Sequence, residues 1–272
     1  MENLISNFGI VIVGCGKMGG AILNGWMSNG IPLEKIGVIE PRPSSWLTSL
    51  EAKGLNLNKN LPSKPLVCLL AVKPQMIDVA LEALEKFRND RLTLVSIVAG
   101  LKFVSLENKL GSHLAIMRVM PNTPVSIQKG VSVLCKNKSV STEQTSLVGK
   151  LFDTVGESIF IEDEDLMDVV TAISGSGPAY VFYLIEALFV AGRERGLSAD
   201  LAMQLAKATV FGAGALASST NEGPEVLRMN VTSPNGTTQA ALEILMNAKS
   251  GLLPLIKKTV FAAEERSKQL DI

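Results

Sequence analysis

Two short stretches carry residue types that could bind and position small anionic groups. The first is Gly14-Cys15-Gly16-Lys17-Met18-Gly19, a G-x-G-x-x-G that follows an apolar run ending at Val13 and opens a helical pattern. In that setting the first glycine makes a tight turn and the second lets a pyrophosphate approach the backbone. The third lets helix and strand pack closely. The helix start adds free amides and a positive dipole end. Glu40 lies 21 residues beyond Gly19, at the end of the next apolar run. A carboxylate there accepts hydrogen bonds from the ribose hydroxyls of NAD, whereas Arg42, two residues on, suits the 2′-phosphate of NADP. Pro41 and Pro43 stiffen this loop, and the residue types leave both cofactors open. Ala71-Val72-Lys73-Pro74 and Met120-Pro121-Asn122-Thr123-Pro124 end further apolar runs, at the strand ends where open α/β sheets take their ligands.

The second stretch is Ser233-Pro234-Asn235-Gly236-Thr237-Thr238, at the start of another helical pattern. Asn235-Gly236 allows positive φ, and the free amides of residues 236–239 would form a site for a small carboxylate. Thr237 and Thr238 add hydroxyls. The plain alternative is an ordinary helix N-cap. Ser174-Gly175-Ser176-Gly177-Pro178-Ala179-Tyr180 reads as a compact, backbone-rich turn before a long helix, or as a simple helix start.

What is missing narrows the chemistry. Dehydrogenases of the hydroxyacid and 6-phosphogluconate type usually carry a catalytic lysine on the first long helix of their helical part. This chain has no lysine between Lys150 and Lys207. With one histidine, His113, there is no Ser-His-Asp arrangement to assemble. The three cysteines, Cys15, Cys68 and Cys135, lie 53 and 67 residues apart, so neither a metal site nor a disulfide framework is expected. Such thiols suit a reducing, cytoplasmic setting. Lys+Arg and Asp+Glu are both 26, which argues against nucleic-acid or anionic-membrane partners. The N-terminus carries Glu2 rather than a basic leader, and Ser-Gly-Ser-Gly-Pro is expected to break the uncharged run 169–185 as a membrane helix.

The elements that must position these residues come in two textures. Strand-like runs over 9–13, 36–40, 66–72, 92–98 and 114–120 alternate with helical patterns over 18–29, 45–53, 76–87 and 103–110. Continuous apolar strands between helices predict a doubly wound parallel sheet, a Rossmann α/β domain. Runs at 130–134 and 158–161 read as late edge strands, with a capping box at Ser141-x-x-Gln144 between them. After Glu162 the pattern is helical throughout: 178–195, 199–219, a helix with Pro224 in its first turn, 237–247 and 253–270. The predicted domains are a dinucleotide-binding domain over 1–162 and an all-α C-terminal domain over 163–272. Gly212, Ala213, Gly214, Ala215 and Ala217 permit close helix–helix approach, and the 47% of hydrophobic residues reads as core plus an oligomer interface, so an oligomer is expected.

Over nearly its whole length the chain resembles pyrroline-5-carboxylate reductases. The resemblance rests on Gly14-x-Gly16-x-Met18-Gly19, Ala71-Val72-Lys73-Pro74-Gln75, Met120 to Pro124, Ser174 to Tyr180 and Ser233-Pro234-x-Gly236-Thr237-Thr238, in that order. It implies reduction of L-1-pyrroline-5-carboxylate to L-proline with NADPH or NADH, the last step of proline synthesis. It assigns the cofactor to Val13 through Gly19, Glu40, Arg42, Ala71 through Pro74, Val98 and Ala99. Asn60 is matched to a family asparagine near the adenine ribose, and Asn230 to a residue reaching the cofactor from a neighbouring subunit. The substrate carboxylate would rest on the loop from Ser233 and Gly236 to Thr237 and Thr238. The Thr238 hydroxyl would bond the ring nitrogen. Intertwined homodimers, in the family often joined into a ring of five, would be the assembly. Many members have Gly-Gly where this chain has Asn235-Gly236, and asparagine tolerates the left-handed conformation the loop needs. Imine reduction asks for alignment more than for a strong base, which fits a site without histidine or lysine chemistry. The alternatives are a related imine or keto-acid reductase and a non-catalytic dinucleotide-binding regulatory paralogue.

Overall fold

The computed structural model describes residues 8–270 and divides into two compact units. The first comprises the chain through Gly175 together with the segment from Ala263 onward, and the second is Ser176–Ala262. The predicted division at 162/163 follows the change in texture, but the compact units divide elsewhere. The helical turns over 164–175 and the end of the last helix belong with the sheet. Two contacts explain this. Arg118, buried on a central strand, pairs with Glu164 at 2.7 Å. The Ser267 hydroxyl donates to Asp168 Oδ1 at 2.6 Å.

The sheet is built from β1 (Ile10–Val13), β2 (Ile36–Ile39), β3 (Asn56–Leu57), β4 (Val67–Leu70), β5 (Thr93–Ser96), β6 (Ala115–Pro121), β7 (Gly130–Lys136) and β8 (Gly156–Phe160). Its order is β3-β2-β1-β4-β5-β6-β7-β8. All neighbours are parallel except β6 and β7. One expectation needs correction here, and one strand was not foreseen. The run at 130–134 is no edge strand: β7 lies between β6 and β8. The short β3 gave no apolar signal, because it is two residues long and begins with an asparagine.

Helices cover the sheet: α1 (Lys17–Ser28), α2 (Ser45–Glu51), α3 (Ile77–Leu84), α4 (Phe103–Leu110) and α5 (Thr142–Asp153). Alternation along β1 explains why its run is wholly apolar. Ile10 and Ile12 enter a core with Trp26 and Phe152, whereas Val11 and Val13 enter another with Leu81 and Leu106. A strand buried on both faces has no polar side to show. Trp26 is fully buried and its indole N–H donates to the carbonyl of Leu151 at 3.0 Å. The capping box forms as expected, Ser141 accepting from Gln144 N and Gln144 accepting from Ser141 N.

After β8 the chain turns helical in α6 (Met167–Val170), passes through a π-turn over Thr171–Gly175 and enters α7 (Gly177–Glu194). Ser176 keeps right-handed helical dihedrals, φ −83° and ψ −23°. The expected break at Ser-Gly-Ser-Gly-Pro therefore does not occur. The helical stretch Glu164–Glu194 is long and apolar enough to cross a membrane by length and composition, with a mean hydropathy of 1.3.

The second unit holds α7, α8 (Ala199–Ser218), α9 (Pro224–Asn230), α10 (Thr237–Leu245) and most of α11 (Leu252–Lys268). Ser198 caps α8 by accepting from Leu201 N. No residue of α7 is buried, and Tyr183, Phe211 and Ile244 are 70%, 78% and 76% exposed. Nothing lies within 4 Å of where a Cβ would stand at Gly212 or Gly214. The small-residue stripe is open in the single chain.

Candidate active site

Strand order reverses between β1 and β4, whose neighbours diverge on either side, and a crevice opens beyond their carboxyl ends. There lies a cavity of about 900 Å³, walled by the glycine-rich loop, the β2–α2 loop and the β4–α3 loop. The three glycines meet three different demands. Gly14 has φ +82°, and a Cβ on it would stand 2.7 Å from Val72 Cγ1 and 2.8 Å from the Ala71 carbonyl. Gly19 packs α1 on the loop, since its Cβ would lie 2.8 Å from the Gly14 carbonyl. Gly16 faces open space, with nothing within 4 Å of its Cβ position. It is also the N-cap of α1 and no side chain caps it, so the first-turn amides are left for a ligand. A bare cradle, an uncapped helix start and the lining side chains of Lys17 and Lys73 fit a pyrophosphate. The residues present therefore suit a nicotinamide dinucleotide.

Glu40 stands at the lip of this cradle. Its Oε2 accepts from the Cys15 backbone N–H at 2.9 Å and its Oε1 from the Arg42 N–H at 3.1 Å. Burial, and then the Glu40 charge, push the Cys15 thiol up to about 12. Burial likewise raises Cys68 and Cys135. These thiols are protonated at neutral pH and are poor nucleophiles.

Of the residues expected to meet the cofactor, Val13, Gly14, Cys15, Gly16, Lys17, Glu40, Arg42, Ala71, Val72 and Lys73 line this one cavity. Met18 turns into the core beside it, and Val98 and Ala99 pack in the core on the other sheet face. Pro74 opens a single 3₁₀ turn between the lining residues Lys73 and Met76 and does not itself line the cavity. Asn60 does not line the cavity. It borders a separate depression of about 410 Å³ with Glu34 and Lys64. The asparagine that reaches Glu40 is Asn58. It accepts from Glu40 N–H at 2.8 Å and donates to its carbonyl at 3.0 Å. Sequence reading also passed over Trp46, Met76 and Val79, exposed apolar side chains that line the same cavity. The signal for them was exposure on otherwise amphipathic helices, which composition does not reveal.

In the second unit, Ser233 to Thr238 opens α10. Asn235 has φ +58°, so the left-handed turn forms with asparagine in place of glycine. A Cβ on Gly236 would stand 2.4 Å from Ser233 Oγ. Gly236 is the N-cap of α10 and supplies no side-chain acceptor, while Gln239 reaches back to accept from Asn235 N–H at 2.8 Å. The amides of Thr237 and Thr238 are thus left uncapped beside two hydroxyls, which is a carboxylate-binding arrangement. Asn230 Nδ2 donates to Glu222 Oε2 at 3.4 Å.

A family model described as pyrroline-5-carboxylate reductase dimerisation matches residues 164–270. One described as NADP oxidoreductase, coenzyme F420-dependent, matches residues 9–100. The chain is 35% identical to the pyrroline-5-carboxylate reductase of Pseudomonas aeruginosa over 264 residues, covering 96% of each chain. The chain belongs to the pyrroline-5-carboxylate reductase family. A relative from Pisum sativum is also 35% identical, over 98% of this chain and 97% of its own. Among solved structures, the pyrroline-5-carboxylate reductase of Coxiella burnetii superposes with a TM-score of 0.90 at 33% identity, covering 97% of this chain and 99% of that one. The Plasmodium falciparum pyrroline carboxylate reductase, determined with NADP bound, gives 0.85 at 30% identity, covering 98% and 99%. The family's dimerisation region covers the apolar helices left bare in the single chain. That gives the exposed surface of α7 and α8 an oligomeric explanation.

Proposed function

We propose that this chain reduces L-1-pyrroline-5-carboxylate to L-proline at the expense of NAD(P)H, the last step of proline biosynthesis. One observation carries the reading: α10 begins at a glycine N-cap with no internal acceptor, in a protein that also holds a bare dinucleotide cradle. When bound, the reduced nicotinamide supplies hydride to the imine carbon. The protein's part is to hold the reactants. The amides of Thr237 and Thr238 take the substrate carboxylate, with Ser233 and Gly236 shaping the turn. The Thr238 hydroxyl donates toward or accepts from the ring nitrogen. The glycine-rich loop through Met18 and Gly19, with Lys73 and Pro74, positions the cofactor. Protonated imines are electrophilic without further help, so no strong general acid or base is required.

Homodimers bring the second subunit's helices, with Asn230, toward the cofactor. Further assembly into a pentamer of dimers and a cytoplasmic location extend this reading, the latter suited by three buried free thiols.

The test is oxidation of NADPH and NADH by purified protein with pyrroline-5-carboxylate, with proline identified as product. Turnover is expected. Cofactor binding without turnover would overturn the proposal in favour of a regulatory paralogue, and turnover only with another cyclic imine or keto acid would reassign the substrate.

A further inference from the structure

We infer that this chain selects NADH over NADPH, with Glu40 as the residue that discriminates. The inference rests on the functional reading above and concerns the adenosine end of the same cavity. Four hydrogen bonds hold this one residue. Its two carboxylate oxygens accept from Cys15 N–H and Arg42 N–H, and its peptide N–H and carbonyl are both engaged by Asn58. Cys15 belongs to the glycine-rich loop, Arg42 to the β2–α2 loop and Asn58 to the turn after β3. Moving the carboxylate out of the cavity would break bonds to the first two at once.

A carboxylate oxygen accepts more than one hydrogen bond. Each oxygen of Glu40 therefore keeps capacity for a ribose hydroxyl, and the pair matches the adjacent 2′- and 3′-hydroxyls of NADH. A 2′-phosphate has no proton to offer at neutral pH and would set a near-dianion against a fixed anion. Like charges opposed within a partly desolvated site cost binding. Arg42 is the group that could offset this. It also lines the cavity, but its peptide N–H is one of the donors holding Glu40, and its exposed side chain has solvent to compete with. The positioned charge is the negative one.

The test measures binding rather than turnover. Trp46 lines the cavity whereas Trp26 is wholly buried, so quenching of tryptophan emission should report cofactor binding. The intact oligomer is titrated with NADH and with NADPH, without substrate, as wild type, Glu40→Gln and Arg42→Ala. NADH should bind at least about tenfold tighter than NADPH to the wild type, and Glu40→Gln should narrow the gap to about threefold or less, chiefly by tightening NADPH. Arg42→Ala should weaken NADPH more than it weakens NADH and so widen the gap. Equal or tighter NADPH binding by the wild type, or an undiminished gap in Glu40→Gln, overturns the inference. Competition between 5′-ADP and 2′,5′-ADP on the wild type makes the comparison without a variant. Tighter 2′,5′-ADP would overturn it as well. Failure of the functional reading looks different: no turnover with pyrroline-5-carboxylate, whichever cofactor binds better.

Discussion

The side-chain amide of Asn122 donates to the carbonyl of Ser174 at 3.1 Å, four residues ahead of Pro178. Proline has no N–H, so the carbonyl that an unbroken helix would satisfy from position 178 is left free. Asn122, itself buried and 8% exposed, fills that place from the end of β6. Its own Oδ1 accepts from Val131 N–H at 3.0 Å. One side chain thereby ties the β6 end, β7 and the π-turn together.

Removing that side chain should be costly. Asn122→Ala leaves two half-buried backbone groups, the Ser174 carbonyl and the Val131 N–H, without these partners, at a cost of about 1 kcal/mol each. A clear fall in thermal unfolding temperature is expected. An unchanged midpoint would mean that water or a neighbour takes over both bonds.

Gly16 and Gly14 should separate binding from folding. Gly16→Ala meets no protein atom, so stability should stay within about 1 kcal/mol of wild type. Its methyl occupies the cradle, however, and cofactor affinity should fall by about tenfold or more. Gly14→Ala strains a φ of +82° and collides with Val72 and the Ala71 carbonyl, so it should destabilise the fold itself. Calorimetric unfolding alongside cofactor titration checks both, and equal behaviour of the two variants would contradict the assignment.

Thr238→Ala should lose a hydrogen bond to a charged partner worth roughly 1–3 kcal/mol. That corresponds to about 5- to 150-fold in kcat/KM. Cofactor affinity should not move, because α10 lies outside the cradle residues. A kcat/KM equal to wild type would remove Thr238 from the mechanism.

The buried thiols should make stability fall in alkali. Cys15 has its folded-state value raised from 9.0 to about 12, and Cys68 is also raised. A group held neutral by folding contributes fully below its unfolded value and loses that contribution as pH climbs toward its folded value. Each thiol should then add a decline of about 1.4 kcal/mol per pH unit above pH 9. Denaturant unfolding from pH 8 to 11 should give a shallower slope for Cys68→Ala than for wild type. An identical slope would mean the thiol ionises without unfolding.

Much of the cofactor half was legible before any coordinates. A G-x-G-x-x-G between an apolar run and a helix, and an acid at the next strand end, are local patterns. Local backbone sterics give them one meaning. The turn before α10 was legible for the same reason: Asn235-Gly236 before two threonines specifies a left-handed turn and an uncapped helix start. Asn60 illustrates the limit. Asn58 and Asn60 are the same residue type in the same loop, both with positive φ. Only the path of the chain past β2 decides which of them meets Glu40.

The sequence alone thus determined the alternation of strands and helices, the glycines of the cradle and the family. Each depends on residues close together in the chain. The tertiary structure decided the antiparallel insertion of β7 and the Asn58 clamp on Glu40. It also decided the survival of a helix through Ser-Gly-Ser-Gly-Pro and the return of the C-terminal turns to the first unit. Each of these turns on a hydrogen bond or packing contact between groups far apart in sequence. No local pattern encodes whether a distant partner will arrive to satisfy a freed carbonyl or a buried charge.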